Sequence, residues 1–139
     1  MTDTLPLKGS CLCAAVRYEL AEAPKWAHAC HCSRCRKVGG APFAADAFVP
    51  LESFAYVAGE EHLGFYQPPA AERFVHTFCT VCGATLPSRQ LDRGIVLVPL
   101  GSLDDDPGLG PKAHIWVDSK APWDVITDDL PQHPERLGS

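Results

Sequence analysis

Cys30-His31-Cys32-Ser33-Arg34-Cys35 places three thiols within six residues, and the other four cysteines stand in two pairs, Cys11-Leu12-Cys13 and Cys79-Thr80-Val81-Cys82. An odd total of seven permits either a disulfide framework with one thiol left over or metal sites. No basic stretch followed by an apolar run precedes Leu5-Pro6-Leu7, so no secretory signal is expected. A cytoplasmic setting would keep these thiols reduced. Cys11 and Cys13 are also too close along the chain for the Cα separation and Cβ orientation of an easy disulfide. Metal binding is therefore the expectation, with zinc the ion that suits such thiolate sets.

Two pairs make a closed four-thiolate zinc site, whereas three thiolates leave one position open to substrate. Cys79-Thr80-Val81-Cys82-Gly83 has the form of a zinc knuckle, in which two residues turn the backbone between thiolates and a following glycine relieves crowding near the metal. Alone it supplies two ligands. Its partners come either from Cys11 and Cys13 or from two members of the triplet. If Cys11, Cys13, Cys79 and Cys82 share an ion, that ion ties the start of the chain to its middle and is structural. Cys30, Cys32 and Cys35 are then left for chemistry, unless a neighbouring histidine closes the set and makes it a second structural site. In an extended segment alternate side chains face opposite ways, so His31 points away from its flanking cysteines, while His28 shares the parity of Cys30 and is a possible fourth ligand.

Around the cysteines the chain reads as one mainly β domain over residues 1–139. With 46% hydrophobic and 21% charged residues, 13 prolines and 11 glycines, short elements joined by many turns are favoured over long helices. Residues 15–20 alternate apolar with charged side chains, the period of a half-buried strand. Residues 25–30, 42–49, 54–57, 73–78, 95–100 and 113–117 carry the β-branched and aromatic content of further strands, about seven in all. Cys32-Ser33-Arg34-Cys35 and Gly39-Gly40 read as a tight turn and a loop, so that metal ligands are presented from a strand end. Asp104-Asp105-Asp106-Pro107-Gly108 reads as a turn with solvated carboxylates, and the tail after about residue 130 is expected to be loose. A net charge of −5 argues against a nucleic-acid surface, and no apolar stretch has membrane-spanning length. A soluble, cytoplasmic protein without nucleic-acid or membrane partners is expected.

Gly9-Ser10-Cys11-Leu12-Cys13-Ala14-Ala15-Val16-Arg17-Tyr18, the Cys30 to Lys37 segment with Gly40-Ala41-Pro42-Phe43, and Phe78-Cys79-Thr80-Val81-Cys82-Gly83 together resemble the glutathione-dependent formaldehyde-activating enzyme family, which also includes centromere protein V. The resemblance runs from about Gly9 to Pro131 and takes in the segment from His114 to Trp123. It implies a β-tent fold of twisted antiparallel sheets, a structural zinc on Cys11, Cys13, Cys79 and Cys82, and a catalytic zinc on Cys30, Cys32 and Cys35. It further implies carbon–sulfur lyase chemistry on a thiol adduct of a small aldehyde, with glutathione and formaldehyde as partners. One departure is visible: Ala14 stands where the family often has glycine. The competing reading is a non-catalytic zinc scaffold, or a thiol or zinc sensor acting through the triplet.

Thiolate chemistry supports the first reading on its own terms. Zinc with three thiolates carries a formal negative charge and is a weak Lewis acid, better matched to a soft substrate thiolate than to water activation. Proton transfer needs another group, and His28, His31, His76 and His114 are candidates, although each residue type is more often a surface or hydrogen-bonded strand residue. Arg34, Arg36 and Lys37 stand ready to attract substrate carboxylates or simply solvate a loop. Trp26, Phe43, Phe48, Trp116 and Trp123 are core residues or pocket walls.

Overall fold

The computed structural model describes residues 4–139. Its described part is mainly β: β1 (Leu7–Ser10), β2 (Arg17–Leu20), β3 (Trp26–Cys30), β4 (Ala44–Pro50), β5 (Phe54–Ala58), β6 (Leu63–Tyr66), β7 (His76–Cys79), β8 (Ser88–Gln90), β9 (Ile95–Pro99) and β10 (His114–Ile115), with one α-helix, α1 (Ser33–Gly39). The strands form three sheets, ordered β1-β2-β5, β10-β3-β4-β9-β8 and β6-β7. All strand pairings are antiparallel, as expected of these sheets, except that of β10 with β3, which is parallel.

Seven of these strands overlap the segments expected from composition; β1, β6 and β8 were not anticipated. Their signals are weak for identifiable reasons. β8 is Ser-Arg-Gln, with no apolar residue, and becomes a strand by pairing with the apolar β9. β1 and β6 each contain a glycine that usually weakens a strand, yet here it admits a ring. A Cβ on Gly9 would lie 2.1 Å from Cζ of Tyr18, and one on Gly64 would lie 2.6 Å from Cε2 of Phe78.

The five-stranded sheet has two unlike faces because side chains alternate along each strand. In register across β3, β4 and β9, Ala27 faces Ala47 and Ala47 faces Val98, while Val49 faces Val96. These residues are buried with Leu7, Tyr18 and Leu20 of the three-stranded sheet, forming the main core between the two sheets. Each fully buried Val or Leu stabilises the fold by about 1.5–3 kcal/mol relative to exposure. The opposite parity, with His28 opposite Asp46, Phe48 opposite Leu97 and Cys30 opposite Ala44, faces a cleft.

Two expectations require correction. The segment read as a turn and loop is α1: Cys32 caps its N-terminus by accepting from the backbone N–H of Cys35, and Gly40, at φ 59°, closes it with an N–H to the carbonyl of Arg36. Seven residues are too few for an apolar period to show, and none of them is buried, so the sequence carried no amphipathic signal. The tail, expected to be loose, is hydrogen-bonded over residues 131–135. The N–H of His114 donates to Pro131, that of His133 to His114, and that of Trp116 to Glu135. No described helix is long and apolar enough to cross a membrane.

Candidate metal centres and cleft

All seven cysteines are free thiols, and they gather into two groups, Cys11/Cys13/Cys79/Cys82 and Cys30/Cys32/Cys35, with the sulfurs of each group within 4.8 Å of one another. The pairing question left open by spacing is thereby answered: the knuckle at Cys79 meets Cys11 and Cys13. Tetrahedral zinc with Zn–S bonds of about 2.3 Å sets its sulfurs about 3.8 Å apart. Cys11 and Cys13 are 3.7 Å apart, and Cys13 and Cys79 are 3.9 Å apart. Both sets fit zinc in softness, count and spacing.

The four-thiolate group sits at the ends of β1 and β7, where each pair turns tightly. Ala14 donates its N–H to the carbonyl of Cys11 and Gly83 to that of Cys79. The N–H of Val16 points at the sulfur of Cys11 and that of Val81 at Cys79, both at 3.3 Å. Both residues after the second cysteine have left-handed backbone, Gly83 at φ 79° and Ala14 at φ 64°. The departure at Ala14 is thus at a position that favours glycine on conformational grounds. Cys11 and Cys79 are buried in a small core with Val16 and Leu86, while Cys82 is half-buried and Cys13 exposed. The Cys82 thiol is pushed down to about 6 by the backbone N–H of Ala84, helped by Cys13 and Cys79.

The triplet is built differently. Cys30 ends β3, Cys32 caps α1 and Cys35 lies one turn into the helix, so a strand end and a helix start converge their sulfurs. The neighbouring thiols of Cys30 and Cys35 hold the pKa of Cys32 well down, while those of Cys30 and Cys35 are pushed up by their neighbours. A divalent cation held by the three sulfurs would draw off their protons. Among the described residues no histidine or carboxylate joins either group. His28 has Cys30's parity but its Nδ1 accepts from Trp26 Nε1 at 3.3 Å. His31 is fully buried and, as its parity required, is absent from the lining of the cleft that holds all three cysteines.

That cleft, about 800 Å³, lies between the uncovered face of the five-stranded sheet and the segment from Arg73 to Thr77. Its floor is largely apolar, through Ala44, Phe48 and Leu97, and it carries one carboxyl group, Asp46. Burial, with the nearby Cys32 thiolate, raises the pKa of Asp46 to about 6. The sequence reading passed over Asp46, although a single acid within Ala44-Ala45-Asp46-Ala47-Phe48-Val49 was a usable signal. Four arginines, Arg34, Arg73, Arg93 and Arg136, reach the same cleft and reverse locally the chain's negative charge. Of the basic residues expected there only Arg34 arrives, stacked 5.9 Å over Phe74; Arg36 turns back to the carbonyl of His31, and Lys37 is exposed outside the lining.

The aromatic and histidine candidates divide similarly. Phe48 and Trp116 line the cleft, Phe43 packs on His31 and His114, and Trp123 is exposed; none of the five aromatic candidates is fully buried. The largest buried side chain is instead Tyr18. His76 reaches the cleft, stacked on Phe78, with its pKa lowered by burial. His114 lies outside the cleft lining, bonded to Asp128.

Residues 6–119 match the family model described as glutathione-dependent formaldehyde-activating enzyme. A crystal structure of a Rhodobacter sphaeroides protein from a structural genomics programme is similar to this chain at 30% identity and a TM-score of 0.59, covering 75% of this chain and 91% of the other. No curated protein matches.

Proposed function

The chain belongs to the glutathione-dependent formaldehyde-activating enzyme family, and from that premise we propose that it is a zinc-dependent enzyme of carbon–sulfur chemistry, joining a thiol to a small aldehyde or releasing it, with glutathione and formaldehyde as the model pair. The observation that carries this reading is a three-thiolate set with no fourth protein ligand among the described residues, opening into a cleft of about 800 Å³. Zinc bound by Cys30, Cys32 and Cys35 would supply an open position suited to a soft thiolate. The four-thiolate group has the complementary, structural role.

The remaining work falls to residues of the cleft. Arg34 and Arg136, neither in an ion pair among the described residues, attract the carboxylates of the thiol substrate. In the forward direction the substrate sulfur bonds to the aldehyde carbon, the carbonyl π pair moves to oxygen, and that oxygen takes up one proton; the thiol has given up one, so nothing is oxidised. Asp46 lies on the cleft floor with a pKa of about 6, which suits it to carry that proton.

Cobalt in place of zinc makes the triplet visible. Glutathione should change the cobalt spectrum, glutathione with formaldehyde should be converted faster than in buffer, and Cys35→Ser should abolish both effects. A spectrum indifferent to every thiol would mean a closed coordination sphere and would favour the scaffold reading.

A further inference from the structure

Behind the triplet, outside the cleft lining, His31 is held at three points. Its backbone N–H donates to the carbonyl of Ile115 at 3.0 Å, its carbonyl accepts from Nε of Arg36 at 3.4 Å, and its ring Nε2 lies 2.8 Å from Nδ1 of His114. His114, also buried, places Nε2 3.0 Å from both carboxylate oxygens of Asp128. An unbroken line thus runs from a half-exposed carboxylate through two buried rings to the peptide between Cys30 and Cys32.

The proton positions along this line follow from what each group can do. A carboxylate only accepts, so His114 carries its hydrogen on Nε2 and its Nδ1 accepts in the neutral ring. His31 must then donate from Nε2, which leaves its Nδ1 as a bare lone pair. Nδ1 of His31 and Oδ2 of Asp124, 3.6 Å away, are both buried without a hydrogen-bond partner. At 3.6 Å Asp124 makes no hydrogen bond to His31, whereas Asp128 is within bonding distance of His114, so the direction of donation is set from the Asp128 end.

Asp128 lies beyond the residues that match the family model, in a segment held to the strand bearing His114 by its hydrogen bonds to Pro131 and His133. We propose that Asp128, acting through His114 and His31, is a positioning residue that fixes the Cys30–Cys32 peptide and so holds the two thiolates in ligating geometry. The proposal rests on the reading of the triplet as a metal site. A ring locked at its far nitrogen cannot swing, and the peptide that carries it cannot rotate the flanking sulfurs.

The test compares full-length, metal-loaded wild type with Asp128→Ala and Asp128→Glu, at a side chain 47% exposed, where the fold should tolerate change. Long-range ¹H–¹⁵N spectra should show hydrogen on Nε2 of both rings in the wild type, and Asp128→Ala should shift the resonances of His31 as well as those of His114. Chelator competition should show the triplet's zinc held ten- to a hundredfold more weakly in Asp128→Ala, with the four-thiolate zinc unchanged and Asp128→Glu restoring most of the difference. Hydrogen on Nδ1 of His31, unaltered triplet affinity in Asp128→Ala, no recovery in Asp128→Glu, or equal loosening of both clusters would overturn the proposal. A wild type that holds zinc at the triplet but converts no thiol–aldehyde pair removes the enzymatic reading and leaves these measurements decisive for Asp128; a wild type with no metal at the triplet overturns both.

Discussion

The two cysteine groups use the same ligand atom and differ in almost everything around it. The four-thiolate group joins segments 66 residues apart, is complete in ligands and is flanked by its own small core. The triplet comes from six consecutive residues, is joined by no histidine or carboxylate among the described residues and faces a cleft with arginines at its walls. A closed site gathered from distant segments contributes to folding, because its metal-binding energy is available only when those segments have met. A three-thiolate set from one local segment contributes little to that closure and leaves a coordination position for a further ligand.

The contrast can be broken most sharply by removing one ligand from each group. Cys79→Ala should unfold or aggregate the protein, since it leaves both an incomplete metal site and a gap at a fully buried position. Cys32→Ala should keep the fold and lose triplet metal. Circular dichroism with metal counting checks both, and equal unfolding of the two variants would make the triplet structural.

A smaller effect should come from the cleft floor. The pKa of Asp46 is raised from 3.8 to about 6, chiefly by burial, so between these values the folded protein binds more protons than the unfolded chain. Ionised Asp46 therefore costs stability above pH 6, and that cost disappears as the pH falls towards 3.8. Asp46→Asn should melt at a higher temperature than wild type at pH 7, and the difference should vanish near pH 4. A difference independent of pH would mean that the carboxyl group is not desolvated as described. Loss of turnover in the same variant would sharpen its assignment as the proton carrier.

The smallest effect is expected at the turn of the first cysteine pair. Ala14 at φ 64° is in a conformation that costs a residue with a Cβ about 1–2 kcal/mol, so Ala14→Gly should raise stability, by less than this because glycine also frees the unfolded chain. Thermal melting of the zinc-loaded protein checks it, and a lower melting temperature would show that the alanine methyl makes a compensating contact.

Most strands were legible because period-2 alternation and β-branched content are properties of a short segment. β8 was not, because Ser88-Arg89-Gln90 is a strand only by virtue of its neighbour β9. Among site residues, the thiolates were legible from spacing, and His31's orientation from parity. Arg73, Arg93 and Arg136 were not, since nothing local distinguishes an arginine over a cleft from one in solvent; Asp46, an acid alone in an apolar strand, carried a signal that was passed over.

The sequence by itself determined which atoms can hold metal and that one set is a ligand short of the other, because ligand type and spacing are covalent facts of the chain. Tertiary structure alone decided which pairs meet, which face of the five-stranded sheet stays uncovered, and that residues 128–137 return to the site. Those outcomes depend on the packing of segments far apart in sequence: the three-stranded sheet covers the Ala27–Val98 face and leaves the face of Cys30 and Asp46 to form the cleft.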